Sequence, residues 1–298
     1  MVVNRNISCT LCLIESRVKD LLKLGVESPK AIAKLLIGMA NLLECDRTCA
    51  FVESFEIVKS ITGLKDPYHK LKVEIERFTE NLLSTMNIER NAKLSELFKL
   101  ASSANIIDSH VLAYEFSLDM LKGELFSPKI AIDDSEFLDD VTCHNVVYVL
   151  DNIGEATIDR IVISKLASTC NTVNVIVRGS PYEVDVDYEY TVKFFKGMER
   201  VKILSSGSPY PPLYILKLDR SIIEELNSAD LILAKGIANV EAYVDSYVKG
   251  LTLENVNLIF GFKAKCPNLA ETLKVPQNST NIARWETLLQ RGIINITR

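Results

Sequence analysis

The stretch NVVYVLDNIGEAT, residues 145–157, decides the fold. It begins with five consecutive apolar residues, Val146 to Leu150, most of them β-branched, and continues through a polar turn into a segment with helical spacing. A run that is apolar on both faces is typical of a parallel strand covered by helices on each side. Similar runs follow at residues 173–177, 201–204, 231–234 and 256–260. The sequence therefore predicts an α/β fold, with a predominantly parallel sheet in an α/β/α sandwich.

The residues before this sheet have a different pattern. From Cys9 to Lys122 apolar residues recur at intervals of three and four, which predicts five to seven helices. Ser28-Pro29 is a typical helix start, with proline at the first helical position. We divide the chain into a helical N-terminal region, residues 1–126, and an α/β domain, residues 127–298, and we expect the helices to cover the site. Two apolar stripes show this helical spacing: Leu11, Ile14, Val18, Leu21 and Leu22, then Ile32, Leu35, Leu36, Met39, Leu42 and Leu43.

The turn after the first strand carries oxygen donors and a helix start. In a parallel sheet, ligands bind beyond the carboxyl ends of the strands, where Asp151 and Asn152 stand. Carboxylate and amide oxygens suit a hard divalent cation, and the N–H groups of the helix opening at Gly154-Glu155 favour an anion such as phosphate. The alternative is that Asp151 and Asn152 only cap this helix.

Charged residues also follow the later strands. Asp185 lies beyond the second strand and would complete an Asp, Asn, Asp ligand set, while Asp187 is either an alternative ligand or a helix cap. Lys235 and Lys265 each follow a strand, and a lysine at this edge can hold a phosphate oxygen. The sequence thus predicts a metal-assisted phosphate site.

Several motifs follow the predicted strands in order: Asp151-Asn152-x-Gly154-Glu155 with Asp159, Arg178-Gly179, Asp185, Lys235-Gly236 with Asn239 and Glu241, and Lys265-Cys266-Pro267. Taken in this order, they resemble the damage-control phosphatase family, also known as domain of unknown function eighty-nine. An N-terminal Cys-x-x-Cys, at Cys9 and Cys12, is similar to its archaeal and pantothenate-kinase-linked branch. Val184 stands where related sequences usually have Asn, which keeps Asp187 open as the third ligand.

The resemblance implies a phosphatase that acts on sugar phosphates, phosphopantetheine-type compounds or damaged metabolites. The implied cofactor is a divalent metal ion, Mn²⁺, Ni²⁺, Co²⁺ or Mg²⁺. Its ligands would be Asp151, Asn152 and Asp185. For direct hydrolysis we predict catalytic roles for Asp151, Glu155 and Lys265, with Glu155 or Asp185 orienting the water or receiving its proton. Phosphate or substrate contacts are predicted for Gly154, Lys235, Asn239, Glu241 and Lys265.

The charge and apolar content of the chain argue against nucleic acid and membrane as partners. The 298 residues carry a net charge of −5 without a dense basic block, so the broad positive field of a nucleic-acid-binding protein is not indicated. No apolar run reaches the ~18 residues of a membrane helix. We expect a soluble, cytoplasmic protein with a small phosphorylated metabolite as partner, and the oligomeric state stays open.

Seven cysteines without an export signal favour reduced thiols over a disulfide scaffold. Cys9 and Cys12, with Cys45 and Cys49, either pack as small apolar residues or bind a second metal. Two other functions stay open for the chain as a whole. One is a non-catalytic sensor of metal or phosphometabolite; the other is a nucleotide-dependent methyltransferase, against which the single glycine of the first turn argues.

Overall fold

The computed structural model describes residues 7–86, 88, 92–106, 123, 125, 127–140, 143–254 and 256–297. Its centre is a seven-stranded sheet in the order β1-β7-β6-β5-β2-β3-β4. All neighbouring strands are parallel except β6 and β7, which are antiparallel. The predicted α/β class and the predominantly parallel sheet are confirmed. The strands are β1 Ile130–Asp133, β2 Asn145–Val149, β3 Thr172–Val177, β4 Val201–Ser205, β5 Leu231–Lys235, β6 Asn257–Lys263 and β7 Thr280–Arg284.

Five of these strands match the predicted runs, and two were missed. β1 lies within residues 127–142, which the sequence suggested were only a connector, and β7 has the polar sequence TNIAR. Both are short, and β7 is interrupted by the polar residues Asn281 and Arg284, so it lacks a continuous apolar run. They form strands because neighbouring backbones supply their hydrogen-bond partners: β7 pairs with β6, and β1 pairs with β7.

Helices cover both faces of the sheet. Along β2, Val146 and Tyr148 enter one hydrophobic core while Val147 and Val149 enter the other, as the alternation of a strand requires. The described residues form twelve α-helices: α1 Ile7–Lys23, α2 Pro29–Ala40, α3 Arg47–Thr62, α4 His69–Ser84, α5 Leu94–Ser103, α6 Phe137–Asp140, α7 Ile153–Thr169, α8 Tyr188–Phe194, α9 Arg220–Asn227, α10 Ile237–Tyr247, α11 Pro267–Leu273 and α12 Trp285–Gln290.

The first five helices agree with the helical pattern predicted for this region. α2 begins at Pro29 as expected, although the Ser28 side chain makes no capping hydrogen bond. Helix α5 packs on the sheet so closely that a Cβ on Gly261 would lie 2.2 Å from Ser102 Oγ. Phe98 of α5 meets Tyr148 of β2 edge to face, with ring centroids 6.4 Å apart. N-terminal helices and sheet thus share one core, and the division at residue 126 remains a prediction.

The structure bears on two predictions, that the cysteines are reduced and that no helix crosses a membrane. Cys143, before β2, and Cys170, after α7, form a disulfide with Cα atoms 5.5 Å apart. The expectation of reduced thiols is therefore wrong for this pair, which the fold brings together at the end of the sheet opposite Asp151. Among the described residues, no helix combines the length and apolar character needed to cross a membrane.

Candidate active site

The turn between β2 and α7 holds two of the predicted metal ligands. Asn152 caps α7, because its Oδ1 accepts the N–H of Glu155 at 3.0 Å. The segment around residue 185 runs antiparallel to this turn: Ile153 N–H donates to Val184 O at 3.0 Å and Val186 N–H to Asp151 O at 2.9 Å. Asp151, Asn152 and Asp185 consequently line one cavity.

The structure separates the two candidates for the third ligand. Asp187 caps α8 by accepting the N–H of Tyr190 at 3.1 Å, and its carboxylate lies 3.8 Å from Lys72 Nζ. Asp185 faces the cavity instead, and its Oδ2 receives Nε and Nη2 of Arg178, each at 2.6 Å. Of the two, only Asp185 lies where it can act together with Asp151.

The carboxylates of the cavity are buried close together. Burial raises the pKa of Asp151 well above its usual value, the neighbouring Asp185 and Glu155 raise this pKa further, and Arg178 and Lys265 oppose the rise. Within the described part of the chain, no three or more His, Cys, Asp or Glu residues are arranged to hold a metal. The predicted set has two carboxylates and one amide oxygen. These are hard donors, and two buried carboxylates that lie beside Arg178 fit a divalent cation that keeps water and substrate oxygens as its other ligands.

Gly236 makes room for Asp151. It has a positive φ of 78°, and a Cβ there would lie 1.9 Å from Asp151 Oδ2. Only glycine allows the chain between β5 and α10 to approach the carboxylate so closely.

Lys235 lies behind the cavity. Its ammonium is fully buried and donates to Glu155 Oε2 at 2.6 Å, to Asp159 Oδ1 at 2.9 Å and to the Ala101 carbonyl at 2.8 Å. Tyr148 OH also donates to Asp159 Oδ1, at 2.6 Å. This placement differs from the direct phosphate contact expected from the sequence, because three protein oxygens already surround the ammonium.

Two further predicted residues face the backbone or the ligands rather than the cavity. Asn239 Nδ2 donates to the carbonyls of Lys235 at 2.8 Å and Leu150 at 3.4 Å. Glu155 Oε1 accepts Asn152 Nδ2 at 2.5 Å and also accepts Asn105 Nδ2. Glu155 therefore orients the amide of Asn152 from behind. The Gly154 N–H, by contrast, has no hydrogen-bond acceptor among the described residues.

The cavity encloses about 460 Å³ between the sheet and helices α1 and α3. Lys265 and Glu241 line it, as predicted for substrate contacts. Glu241 Oε2 lies 2.8 Å from Arg47 Nε, whereas its Oε1 is buried without a hydrogen-bond partner among the described residues. Burial raises the pKa of Glu241, and Arg47 opposes the rise.

Arg17 and Arg47 are cavity residues that sequence reasoning missed. The signal for Arg17 was its spacing, since it lies four residues from both Leu13 and Leu21 on the buried face of α1. A charged residue at a core position is unusual enough to indicate a specific partner.

The thiols of the two cysteine pairs do not meet in a common site. Cys9 Sγ and Cys266 Sγ lie 3.5 and 3.7 Å from Arg47 Nη1, while Cys49 Sγ accepts Tyr210 OH at 3.8 Å. In the ranges that the structure describes, a four-thiolate metal site is not formed.

Fold and cavity together define an α/β protein whose site lies at the carboxyl ends of parallel strands and combines buried carboxylates with arginine and lysine. The chain belongs to the damage-control phosphatase family: residues 6–280 match the family model described as "Damage-control phosphatase ARMT1-like domain". Membership confirms the resemblance found in the sequence and favours a phosphatase over a methyltransferase.

Individual relatives agree with this assignment. A protein of Pyrococcus horikoshii named as a damage-control phosphatase is 30% identical over 225 residues, covering 73% of this chain and 74% of the relative. A damage-control phosphatase of Archaeoglobus fulgidus is 26% identical over 226 residues, covering 73% and 75%. The crystal structure of a Pyrococcus horikoshii protein of the DUF89 family superposes with a TM-score of 0.79 at 25% identity, covering 94% of this chain and 98% of that one.

Proposed function

We propose that this protein is a divalent-metal-dependent phosphatase of small phosphorylated metabolites. The observation that carries the proposal is the convergence of Asp151, Asn152 and Asp185 with Arg178 and Lys265 on one cavity at the carboxyl ends of the strands. Hard oxygen donors beside cations are what a phosphate monoester and its metal ion require. Family membership supports the phosphatase reaction.

The metal ion would be held by Asp151, Asn152 and Asp185. Mn²⁺, Ni²⁺, Co²⁺ or Mg²⁺ in this position would supply Lewis-acid charge to a phosphoryl oxygen and acidify water. Glu155 keeps the Asn152 amide in place through the bond from Nδ2 to Oε1, and Lys235 in turn fixes Glu155. The same bonds occupy both oxygens of Glu155, so we assign Glu155 to positioning Asn152 rather than to proton transfer from water.

The substrate phosphate would lie between Lys265 and the start of α7. Lys265 would neutralise a phosphoryl oxygen and the Gly154 N–H would donate to another, which stabilises the charge of the transition state. Glu241 Oε1 needs a donor rather than a phosphate oxygen, because it is a buried carboxylate atom without a hydrogen-bond partner among the described residues. A hydroxyl group of the substrate would satisfy it.

An assay of phosphate release from a panel of sugar phosphates and other phosphorylated metabolites tests the proposal. Each metal ion is added in turn to metal-free protein. Asp151→Ala should reduce the rate by about 100-fold or more, since it removes a ligand of the metal. Asp140→Ala, on the exposed surface of α6, is the matched control and should leave the rate unchanged.

Three results would count against the proposal. Full activity of Asp151→Ala would refute the proposed site. Full activity of metal-free protein would refute the metal dependence of the reaction. Metal binding without phosphate release from any member of the panel would favour the non-catalytic sensor instead.

A further inference from the structure

The turn that presents Asp185 has a strained backbone. Asp185 N–H donates to Tyr182 O at 3.0 Å, which closes a four-residue turn with Glu183 and Val184 at its centre. Glu183 has φ of +37°, in the left-handed region that glycine and asparagine tolerate and glutamate rarely adopts. Something outside the turn must hold Glu183 in this conformation.

Arg17 is the residue that contacts it. The Arg17 side chain is buried, and its Nη2 forms an ion pair with Glu183 Oε1 across 166 positions of sequence. The guanidinium is itself held in place, with Nε 3.2 Å from Asp20 Oδ2 and its centre 5.1 Å from the Phe55 ring. Asp20 is anchored in turn by Tyr68 OH at 2.5 Å. Helices α1 and α3 thus present a rigid cation to the turn.

The backbone of the turn is also hydrogen-bonded to the segment that carries Asp151 and Asn152. Val184 O accepts the Ile153 N–H, and the residue after Asp185, Val186, donates its N–H to Asp151 O. A turn that relaxed to negative φ at Glu183 would redirect these bonds and move Asp185 away from Asp151. The conformation of one residue therefore decides whether the three ligands converge.

We infer that Arg17 is a positioning residue that holds the 182–185 turn in its left-handed form and thereby assembles the metal site. The inference rests on the proposed function, because it concerns the ligands assigned there. It makes helix α1 part of the metal site although α1 supplies no ligand. A competing role is direct substrate binding, since Arg17 and Glu183 both line the cavity.

Calorimetric titration of metal-free protein with Mn²⁺ separates these roles in a four-protein cycle: wild type, Arg17→Met, Glu183→Gly and the double variant. Arg17→Met leaves Glu183 strained and without its partner, so we expect about tenfold weaker Mn²⁺ binding or more. Glycine adopts φ of +37° without help. The double variant should therefore bind Mn²⁺ within about threefold of wild type, a rescue that general loss of packing would not produce.

Hydrogen exchange of the metal-free proteins gives a second readout. The Ile153 and Val186 amides should exchange about tenfold faster in Arg17→Met and return towards the wild-type rate in the double variant. Arg220→Met, which breaks the exposed Arg220–Glu224 pair, is the control and should change neither quantity. If Arg17→Met does not fold, Arg17→Lys takes its place, alone and combined with Glu183→Gly. We then expect a smaller loss of Mn²⁺ affinity in Arg17→Lys and the same recovery in the double variant.

Each remaining outcome overturns the inference. Wild-type protein that binds none of Mn²⁺, Ni²⁺, Co²⁺ and Mg²⁺ refutes the proposed metal site and this inference with it. Wild-type binding that Arg17→Met leaves unchanged refutes the inference alone. Unchanged Mn²⁺ affinity with a raised KM for the phosphate ester assigns Arg17 to the substrate, and a double variant as weak as Arg17→Met shows that strain at Glu183 is not the cause.

Discussion

Lys235→Met should destabilise the protein far more than it weakens substrate binding. Lys235 is fully buried between Glu155 and Asp159, whose side chains are also fully buried. Methionine fills a similar volume but removes the ammonium that pairs with both carboxylates. Removing one partner of a buried ion pair costs about 3–5 kcal/mol, because the remaining charge stays out of water.

The expected change in melting temperature follows from chain length. The entropy of unfolding is about 2.1 cal/mol/K per residue, which is roughly 0.6 kcal/mol/K for 298 residues. A loss of about 4 kcal/mol therefore lowers Tm by about 6 °C. Thermal unfolding at pH 7, followed by circular dichroism, measures this shift directly.

Two further proteins make the measurement specific. Lys70→Met, on the exposed surface of α4, should leave Tm unchanged. Combining Lys235→Met with Glu155→Gln and Asp159→Asn removes the uncompensated charge and should recover most of the stability. If Lys235→Met instead melts like wild type and raises KM about tenfold, Lys235 contacts phosphate directly, as the sequence suggested, and the reasoning from burial is refuted.

Two predictions concern other positions. Gly236→Ala and Gly250→Ala both place a side chain at positive φ, at a cost of about 1–2 kcal/mol, but only the first meets Asp151. Phosphatase activity should fall about 100-fold in Gly236→Ala and stay unchanged in Gly250→Ala, and equal activities would contradict the close-approach argument. Burial, with Asp46 nearby, raises the pKa of Asp245 to about 7 against the hydrogen bonds from Thr48. A raised carboxyl pKa stabilises the fold below the unfolded value near 3.9, and this contribution is lost as pH rises through about 7. The stability advantage of Asp245→Asn should therefore grow by about 2.5 kcal/mol from pH 5 to pH 8 in chemical unfolding, and a constant difference would show that Asp245 is not the titrating group.

The local sequence pattern predicted five strands of the sheet and the turn that carries Asp151 and Asn152. Five strands were predicted because β-branched runs reflect burial on both faces, a property that each segment carries in its own residues. Asp151 and Asn152 were found because the carboxyl end of a strand is a position that the sequence marks by itself. The family assignment came from the same motifs in their order.

Local pattern was less reliable for the helices that cover the site. Leu11 and Leu22 belong to the apolar stripe that predicted α1, yet they are 59% and 47% exposed. The face that packs inward instead includes Leu13, Arg17 and Leu21. A stripe of apolar residues shows that a helix has two faces, but which residues at its margin become buried depends on the neighbouring elements.

The sequence alone determined five of the seven strands and the residue types available at the carboxyl ends of those strands. Only the tertiary structure decided their roles: Asp185 rather than Asp187 faces the cavity, Lys235 lies inside a buried ion cluster, and Arg17 meets Glu183. The physical reason is distance along the chain. Lys235 and Glu155 are 80 positions apart and Arg17 and Glu183 166 apart. Contacts over such separations leave no periodic trace in the residues that make them, because the folding of everything between them brings them together.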